Sequence, residues 1–283
     1  DGGPRVRGET PAPPPDLGGA SPQEENAMEK TSYAPGTPSW IDIGAPDMDA
    51  AATFYGGLFG WTADPGPEEA GGYRIAMLNG QPVAGIGPAM NPGPPFWSTY
   101  VSVADADETA AKVKAAGGQE LVAPMDVMEA GRMAVFMDNV GAAFSIWQPN
   151  EHPGAGLVNE PGTLCWNELS TRDIDKAIEF YPQVFGWGHS TSEGGPMPYT
   201  EWKVDGASIA GMMPMPEAVP AQVPPYWLVY FAVADCDASV AKAVELGGSQ
   251  MFPPMDIPIG RFAGVTDPQG AMFAVIALAD GGM

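Results

Sequence analysis

The sequence predicts an α+β protein in which four βαβββ modules pair into two similar domains. The chain repeats itself, each repeat alternates strand-like and helix-like segments in one order, and 283 residues suffice for two domains. The clearest repeat is WIDIGAPDMDAAATFYGGLFGW at 40–61, which returns as WNELSTRDIDKAIEFYPQVFGW at 166–187. This period is far longer than the roughly 20–50 residues of solenoid repeats, so we interpret it as a duplicated domain.

The later parts of the two halves also match. The matching pairs are WSTYVSVAD at 97–105 with WLVYFAVAD at 227–235, Gly131-Arg132 with Gly260-Arg261, and DNVG at 138–141 with DPQG at 267–270. The offset between equivalent residues stays between 126 and 130 along the whole chain. Small differences in loop length between two copies of one domain account for this variation in the offset.

Each element of the first module has its own signal. Residues 39–43 alternate in the manner of a half-buried strand. Asp47 begins a helix with an acidic first turn, apolar residues follow at helical spacing, and Gly60 ends the helix. The dipeptide Asn79-Gly80 lies between two apolar runs, which is typical of a β-hairpin.

The second module has the same pattern and sets the domain boundaries. Residues 97–103 are strand-like, 105–116 are helical, and three further strands follow before a segment rich in Gly and Pro. The predicted organisation is a disordered tail at 1–35, a first domain at 36–150, a linker at 151–162 and a second domain at 163–280.

The composition limits the partners and the location of the chain. Its net charge of −23 repels phosphate backbones and anionic lipid heads, which argues against nucleic-acid and membrane-surface binding. The sequence has no apolar run near the ~18 residues of a membrane span and no start typical of a signal peptide. Cys165 and Cys236 are too few for a disulfide framework, so we expect reduced thiols in a cytoplasmic protein.

Several motifs recur in order through the modules: an Asp-initiated helix, a Phe-Tyr pair, (L/V)-F-G-W, V-A-D-(A/C)-D and D-(N/P)-x-G. In this order they resemble the vicinal oxygen chelate superfamily, the glyoxalase/bleomycin resistance protein/extradiol dioxygenase fold. The resemblance covers residues 38–278 and is greatest to a two-domain actinobacterial branch often labelled hydroxylase or glyoxalase. It implies that paired modules form two glyoxalase-like half-barrel domains, each enclosing a cup.

The resemblance also implies where metal-dependent members hold a divalent ion. Counted from the shared motifs, these positions are Trp40, Ser98 and Ser145 in the first half and Trp166, Leu228 and Ala274 in the second. Transition metals need imidazole, carboxylate or thiolate donors, and the sequence contains only two histidines, His152 and His189. We therefore expect no metal and no cofactor, which argues against metal-dependent lyase, isomerase or dioxygenase activity.

A carboxyl group recurs on the predicted inner face of each half-barrel. Strand alternation places Trp40 and Asp42 toward the cup and the neighbouring isoleucines toward the helix. The second copy has Trp166 and Glu168 at the same positions. Two interpretations remain open: a buried structural hydrogen bond or ion pair, or a ligand-binding or acid–base carboxyl whose pKa a dry aromatic site raises.

Other inner-face residues recur beside these carboxyls. Arg132 and Arg261 are expected either to pair with the carboxyls or to bind an anionic ligand, and methionines flank the same strands. The first cup is expected to be the more open, because its serines are replaced by Leu228 and Ala274 in the second. The predicted ligand-binding residues are Trp40, Asp42, Ser98, Tyr100, Arg132, Ser145, Trp147, Trp166, Glu168, Tyr230 and Arg261.

Three hypotheses about function follow from these features. The first is a metal-free protein of the glyoxalase/bleomycin-resistance type that binds a small aromatic or apolar metabolite in a cup lined by Trp, Tyr and Met. The second is a glyoxalase- or hydroxylase-like enzyme with an atypical site, including metal-free acid–base chemistry through Asp42 or Glu168. The third, from the resemblance, is a regulatory protein whose partner is a protein kinase or another protein.

Overall fold

The computed structural model describes residues 29–89, 93–193, 197–217 and 219–279, and it confirms the predicted α+β architecture. The first half contains β1 (Pro38–Ala45), α1 (Met48–Phe59), a short 3-10 turn (Glu68–Ala70), β2 (Arg74–Leu78), β3 (Gln81–Pro88), β4 (Trp97–Ser102), α2 (Ala106–Ala115), β5 (Gln119–Val127), β6 (Gly131–Met137) and β7 (Ala143–Pro149). The second half contains β8 (Leu164–Thr171), α3 (Ile174–Phe185), β9 (Gly188–Ser192), β10 (Tyr199–Val204), β11 (Ala207–Pro214), β12 (Tyr226–Ala232), α4 (Cys236–Glu245), β13 (Ser249–Ile257), β14 (Gly260–Thr266) and β15 (Met272–Leu278). Across these described ranges, no helix has the length and apolar character that a bilayer span requires.

The four helices begin with the same cap. Asp47, Asp105, Asp173 and Asp235 each accept a hydrogen bond from the backbone N–H three residues later, which satisfies a donor that the first helical turn leaves unpaired. Helix α1 ends, as predicted, at Gly60, whose φ of 78° lies in the left-handed region that favours glycine. Local sequence therefore determines where each helix starts.

Each half of the chain forms one sheet in which two modules meet at their first strands. The strand orders are β2-β3-β1-β4-β7-β6-β5 and β13-β14-β15-β12-β8-β11-β10-β9. Strands β1 and β4 pair antiparallel at the centre of the first sheet, as β8 and β12 do in the second. The first module has one strand fewer than the third module. Where the third module has strand β9, the first has only a single β-bridge between Thr62 and Met77.

The helices cover the outer faces of the sheets, where the two halves share two cores. Helix α1 packs near α4, and α2 packs near α3. The first core joins Ile41 and Ile43 of β1 to Phe231 of β12 and Phe273 of β15. The second core combines side chains of the second and third modules in the same way. Each half therefore needs the other to bury its outer face.

A buried tyrosine and a buried aspartate connect the halves in each shared core. Tyr55 of α1 donates to Oδ2 of Asp267 at 3.0 Å, and Tyr181 of α3 donates to Oδ2 of Asp138 at 2.6 Å. Each tyrosine hydroxyl also accepts an indole N–H from a tryptophan in β4 or β12. The other carboxylate oxygen accepts backbone N–H groups of its own D-x-x-G turn. We call these two arrangements the inter-domain latches.

The chain upstream of β1 packs on the segment that joins the two halves. Glu29 bridges to Leu157, and the Tyr33 hydroxyl donates to the carbonyl of Ala155 at 2.7 Å. Glu29 and Tyr33, which the sequence analysis placed in the tail, therefore contact this segment. The remainder of the predicted tail, 1–28, lies outside the described residues.

Candidate functional site

Two equivalent sites lie on the inner faces of the half-barrels. The alternation predicted for β1 is confirmed, because Ile41 and Ile43 pack into the outer core while Trp40 packs inward with Tyr100 and Trp147. Strand β8 repeats this arrangement, with Trp166 beside the inner cluster of the second half-barrel.

The register of the central strands is the same in both halves, so equivalent side chains meet. In the first half-barrel Trp40 is paired with Tyr100, and Tyr100 is paired with Ser145 on β7. In the second, Tyr230 is paired with Trp166 and with Ala274. Among the predicted residues, the structure brings together Trp40, Asp42, Ser98, Tyr100, Ser145 and Trp147 in the first half-barrel and Trp166, Glu168 and Tyr230 in the second.

Hydrogen bonds connect the first carboxyl to three aromatic side chains. The indole N–H of Trp40 donates to the Tyr73 hydroxyl at 3.0 Å, and Tyr73 donates to Oδ2 of Asp42 at 3.1 Å. Tyr100 donates to the same oxygen at 2.9 Å. Loss of water around the carboxyl raises the pKa of Asp42 to about 6, against the lowering effect of hydrogen bonds from Tyr100, Tyr73 and Ser98.

The second carboxyl has an equivalent network. The indole N–H of Trp166 donates to the Tyr199 hydroxyl at 2.8 Å, and Tyr230 donates to Oε1 of Glu168 at 2.8 Å. Burial raises the pKa of Glu168, and hydrogen bonds from Tyr230 and Tyr199 oppose this. The two residues differ in exposure, since Glu168 is only 6% exposed whereas Asp42 is partly exposed, although burial desolvates both carboxyl groups.

Tyr73 and Tyr199 were missed by the sequence interpretation. They recur at the offset of 126 that relates the two tryptophans, and that recurrence is the signal that could have found them. A second signal is Gly85 with Gly211, at the same offset. A Cβ atom on Gly85 would lie 1.7 Å from the Tyr73 hydroxyl oxygen, and one on Gly211 would lie 2.0 Å from that of Tyr199. Glycine is therefore required where each tyrosine crosses the neighbouring strand.

The predicted pairing of the arginines with the inner carboxyls is wrong. Arg132 donates to Asp107 and Asp126 at 2.9–3.1 Å, and Arg261 makes equivalent bonds to Asp237 and Asp256. All four acceptors are exposed. Asp107 and Asp237 lie in the first turns of α2 and α4, and Asp126 and Asp256 lie on the outer hairpin strands β5 and β13. These arginines tie the hairpins β5–β6 and β13–β14 to the helices and leave Asp42 and Glu168 with tyrosine partners.

The linker covers one wall of the first half-barrel. His152 lies edge-on to Trp40, with ring centroids 4.5 Å apart, and its carbonyl accepts the indole N–H of Trp147 at 2.7 Å. Ala155 and Val158 complete the cluster around these rings. A segment that the sequence analysis interpreted as a plain connection therefore packs against the tryptophan of the first cup. That the first cup is the more open of the two stays a prediction.

The inner wall of the second half-barrel is more aromatic than that of the first. Among the described residues of the second half-barrel, the inner cluster is formed by side chains of strands. Phe252 and Phe262 occupy the positions equivalent to Val122 and Met133 of the first half-barrel. The ring of Phe262 lies 5.6 Å from that of Phe252 and 6.2 Å from that of Tyr230. The partly exposed rings of this wall are Trp166, Tyr199, Tyr226, Phe252 and Phe262.

Comparison with known proteins agrees with this arrangement of two repeated sheets. The model of the Glyoxalase/Bleomycin resistance protein/Dioxygenase superfamily matches residues 37–146 and 163–275. The chain belongs to this superfamily. The superfamily repeat thus coincides with the two sheets, and each copy contains one of the two carboxyl networks.

Relatives of this superfamily member match over nearly their full length. "Putative glyoxylase CFP32" of Mycobacterium bovis is 46% identical over 259 residues, which cover 88% of this chain and 97% of the relative. The anthracycline biosynthesis protein DnrV of Streptomyces peucetius is 41% identical over 270 residues, 89% and 96% of the two chains. The Mn(II)-bound glyoxalase from Novosphingobium aromaticivorans shares the fold, with a TM-score of 0.61, 15% identity and coverage of 86% and 82%.

The inner side chains of this superfamily member do not form a suitable set of metal ligands. The Trp40 indole N–H is a donor bonded to Tyr73, and Ser98 and Ser145 offer only hydroxyl groups. Within the described ranges, no cluster of three or more His, Cys, Asp or Glu residues could hold a metal ion. A divalent transition metal therefore does not fit these donors.

Two surface grooves lie outside the half-barrels of this superfamily member. One, of about 350 Å³, lies beside α2 and the end of α3 and includes Lys112 and Phe185. The other, of about 380 Å³, is a polar groove beside Arg132 and Asn150. Neither groove contains Asp42 or Glu168.

Proposed function

We propose that the second half-barrel binds a flat aromatic molecule against its aromatic wall. The observation that carries this proposal is the set of partly exposed rings around one buried carboxyl, Trp166, Tyr199, Tyr226, Phe252 and Phe262 around Glu168. Aromatic rings offer a planar ligand a large apolar contact area and favourable stacking or edge contacts. A pocket of this kind, with few polar groups, is typical of small-molecule sites.

Glu168 supplies the polar contact within this wall. Burial raises the pKa of its carboxyl, which favours a neutral group that donates a hydrogen bond as well as accepting one. Tyr199 and Tyr226 are partly exposed beside it. A carbonyl or hydroxyl group at the edge of a flat ligand can therefore be recognised without an ion pair.

The names of two relatives support an aromatic ligand. Proteins of Streptomyces peucetius and of Streptomyces sp. strain C5, 41% and 40% identical to this chain, are named anthracycline biosynthesis proteins. Anthracyclines are planar polycyclic aromatic compounds with carbonyl and hydroxyl groups at their edges. That chemistry matches a wall of rings around a buried carboxyl.

A titration with an anthracycline tests the proposal. We expect saturable quenching of tryptophan fluorescence, unchanged by a chelator. The double variant Phe252→Val, Phe262→Met installs the residues of the first half-barrel and is expected to weaken binding about tenfold, because it removes two ring contacts worth roughly 1.4 kcal/mol together. The melting temperature of the variant shows whether the wall has remained folded.

The matched control is Met133→Ala in the first half-barrel, which is expected to leave the affinity unchanged. Equal weakening in the control, or absence of saturable binding by the unaltered protein, would contradict the proposal. Turnover of a dicarbonyl compound lost on chelation would instead support a metal-dependent glyoxalase-like enzyme.

A further inference from the structure

The outermost strand of the first half-barrel exposes large apolar side chains to solvent. Leu121, Val122, Met125 and Met128 follow one another along β5 and into the turn after it, and all four are exposed. Met128 is 58% exposed, the highest value for a large apolar side chain in the described part of the chain. We call these four residues the rim patch. Exposed apolar side chains gathered in this way are typical of a surface that another molecule covers.

A polar groove of about 380 Å³ adjoins the rim patch. Its lining includes Met128, so the two features are continuous, and it also includes Asp126 and Glu129. Arg132, the cation in this lining, is engaged by Asp107 as well as by Asp126. The ion pairs formed among the described residues do not include Glu129. The groove therefore keeps negative charge beside an apolar surface.

The second copy of the domain has a different turn at the equivalent place. The turn after β5 consists of residues 128–130, between the paired Val127 and Gly131. The turn after β13 is one residue shorter, since only 258–259 lie between the paired Ile257 and Gly260. The longer turn is the one that contains Glu129.

Other polar groups of the groove are also specific to the first copy. Gln148 and Asn150 correspond to Ala277 and Ala279 in the second copy, as the strand registers and the backbone bonds after β7 and β15 show. The fold therefore forms without these polar side chains, and their presence in one copy alone needs another explanation.

We propose that the rim patch and the groove together dock an extended segment of a partner protein in which a lysine or arginine lies beside apolar residues. The apolar residues of the segment contact Met125 and Met128. Its cation enters the groove beside Asp126 and Glu129. This surface lies at the rim of the first half-barrel, and the proposal does not depend on ligand binding in the second.

Each part of the surface contributes a different interaction. The net charge of −23 attracts a basic segment over distance and raises the rate of encounter. Methionine side chains are flexible and adapt to apolar partners of different shape. Strand β5 ends its sheet, so its free edge offers hydrogen bonds to the backbone of an extended segment, except at Pro124, which has no N–H.

Charge also decides between this partner and a second copy of the chain. A second copy presents the same acidic surface, and like charges that face each other across an interface oppose association. A partner of opposite charge does not meet this repulsion. The surface is therefore assigned to a basic segment of another protein.

A pair of synthetic peptides tests the assignment with the whole chain. The first is a fluorescein-labelled peptide of alternating leucine and lysine, and the second has serine in place of each leucine, so both carry the same charge. Fluorescence anisotropy at about 0.15 M salt measures their binding. We expect the leucine peptide to bind about tenfold more tightly than the serine peptide, because only the leucine peptide adds apolar contacts to the attraction between charges.

Two variants locate the apolar part of the surface. Met128→Gly removes the most exposed side chain at a backbone φ of 45°, which glycine adopts without strain, so the protein stays folded. Met125→Ser removes a second side chain of the rim patch. Each change is expected to weaken binding of the leucine peptide about fivefold. Met255→Ser, at the equivalent position of the second hairpin, is the matched control and should keep the affinity.

A third variant tests the groove. Glu129→Gln removes one negative charge and keeps the size of the side chain. It is expected to weaken binding of both peptides about threefold and to reduce the dependence of their binding on salt concentration, because one ionic contact is lost.

Four results would overturn the assignment. The first is equal affinity for the two peptides, which would show attraction by charge alone. The second is unchanged binding of the leucine peptide in both Met128→Gly and Met125→Ser, and the third is an equal loss in Met255→Ser. The fourth is a dimer, detected by analytical ultracentrifugation, that Met125→Ser abolishes, since a second copy would then occupy the surface. None of these results bears on anthracycline binding in the second half-barrel.

Discussion

Replacing Asp138 with alanine is expected to lower the free energy of unfolding by about 3–4 kcal/mol. Asp138 is 5% exposed, and its Oδ1 accepts the backbone N–H groups of Val140, Gly141 and Ala142 while Oδ2 accepts the Tyr181 hydroxyl. Alanine leaves these buried or partly buried donors without that acceptor. Urea unfolding followed by tryptophan fluorescence measures the change.

Two variants serve as references for this latch prediction. Asp138→Asn keeps an oxygen for the turn N–H groups and should cost less than alanine. Asp126→Ala removes an exposed ion pair with Arg132 and should change stability by no more than about 1 kcal/mol. If Asp138→Ala were as mild as Asp126→Ala, the latch would not hold the halves together. Asp267→Ala tests the other latch in the same way.

Asp42→Asn is expected to stabilise the protein at pH 7.5 by about 1–2 kcal/mol, after allowance for the partial exposure of the residue. The folded-state pKa of Asp42, about 6, lies above its ordinary value of 3.8. Its contribution to stability is therefore complete below about pH 4 and is lost as the pH rises through 6. Asparagine accepts the same tyrosine hydroxyls and does not ionise, so it avoids the cost of a desolvated charge.

Thermal unfolding at pH 4 and pH 7.5 tests this prediction. The two proteins should melt together at the lower pH and separate at the higher one. Destabilisation at pH 7.5 would point instead to a cationic partner, since breaking a buried ion pair costs roughly 3–5 kcal/mol. Glu168→Gln should show the same direction, because burial also raises the pKa of Glu168.

The fold was predictable because its signals are local and duplicated. An aspartate before each helix and glycine after the first are read within a few residues, and the recurrence of Trp40 as Trp166 shows that they belong to one module. The inward direction of Trp40 followed from strand alternation alone. These features depend on backbone geometry that neighbouring residues determine.

The partners of the inner carboxyls were not predictable in the same way. Arg132 recurs, but so do Asp107 and Asp126, and recurrence does not say which acid an arginine reaches. Tyr73 lies outside the strand that contains Asp42, so no periodicity connects them. Such contacts depend on how separate elements pack, which a local pattern does not encode.

The composition of the linker did not reveal that it packs over the first half-barrel. The linker is rich in Gly and Pro, and these residues predict a turn without indicating what it packs against. A Cβ on Gly154 would lie 2.4 Å from the Ser39 carbonyl oxygen, so glycine here serves a close approach to β1. His152 and Ala155 then contact inner residues that strand patterns assigned to an open cup.

The shared cores have a consequence for how this chain arose. Since α1 packs with α4 and α2 with α3, the unit that was duplicated differs from the unit that folds. One copy alone would expose the surface that now holds Tyr55 and Phe273, unless a second copy covered it. We therefore expect that the ancestor was a symmetric homodimer whose latches ran between two polypeptides. Fusion of the two copies into one chain would let each inner surface change separately, consistent with the different side chains around Asp42 and Glu168.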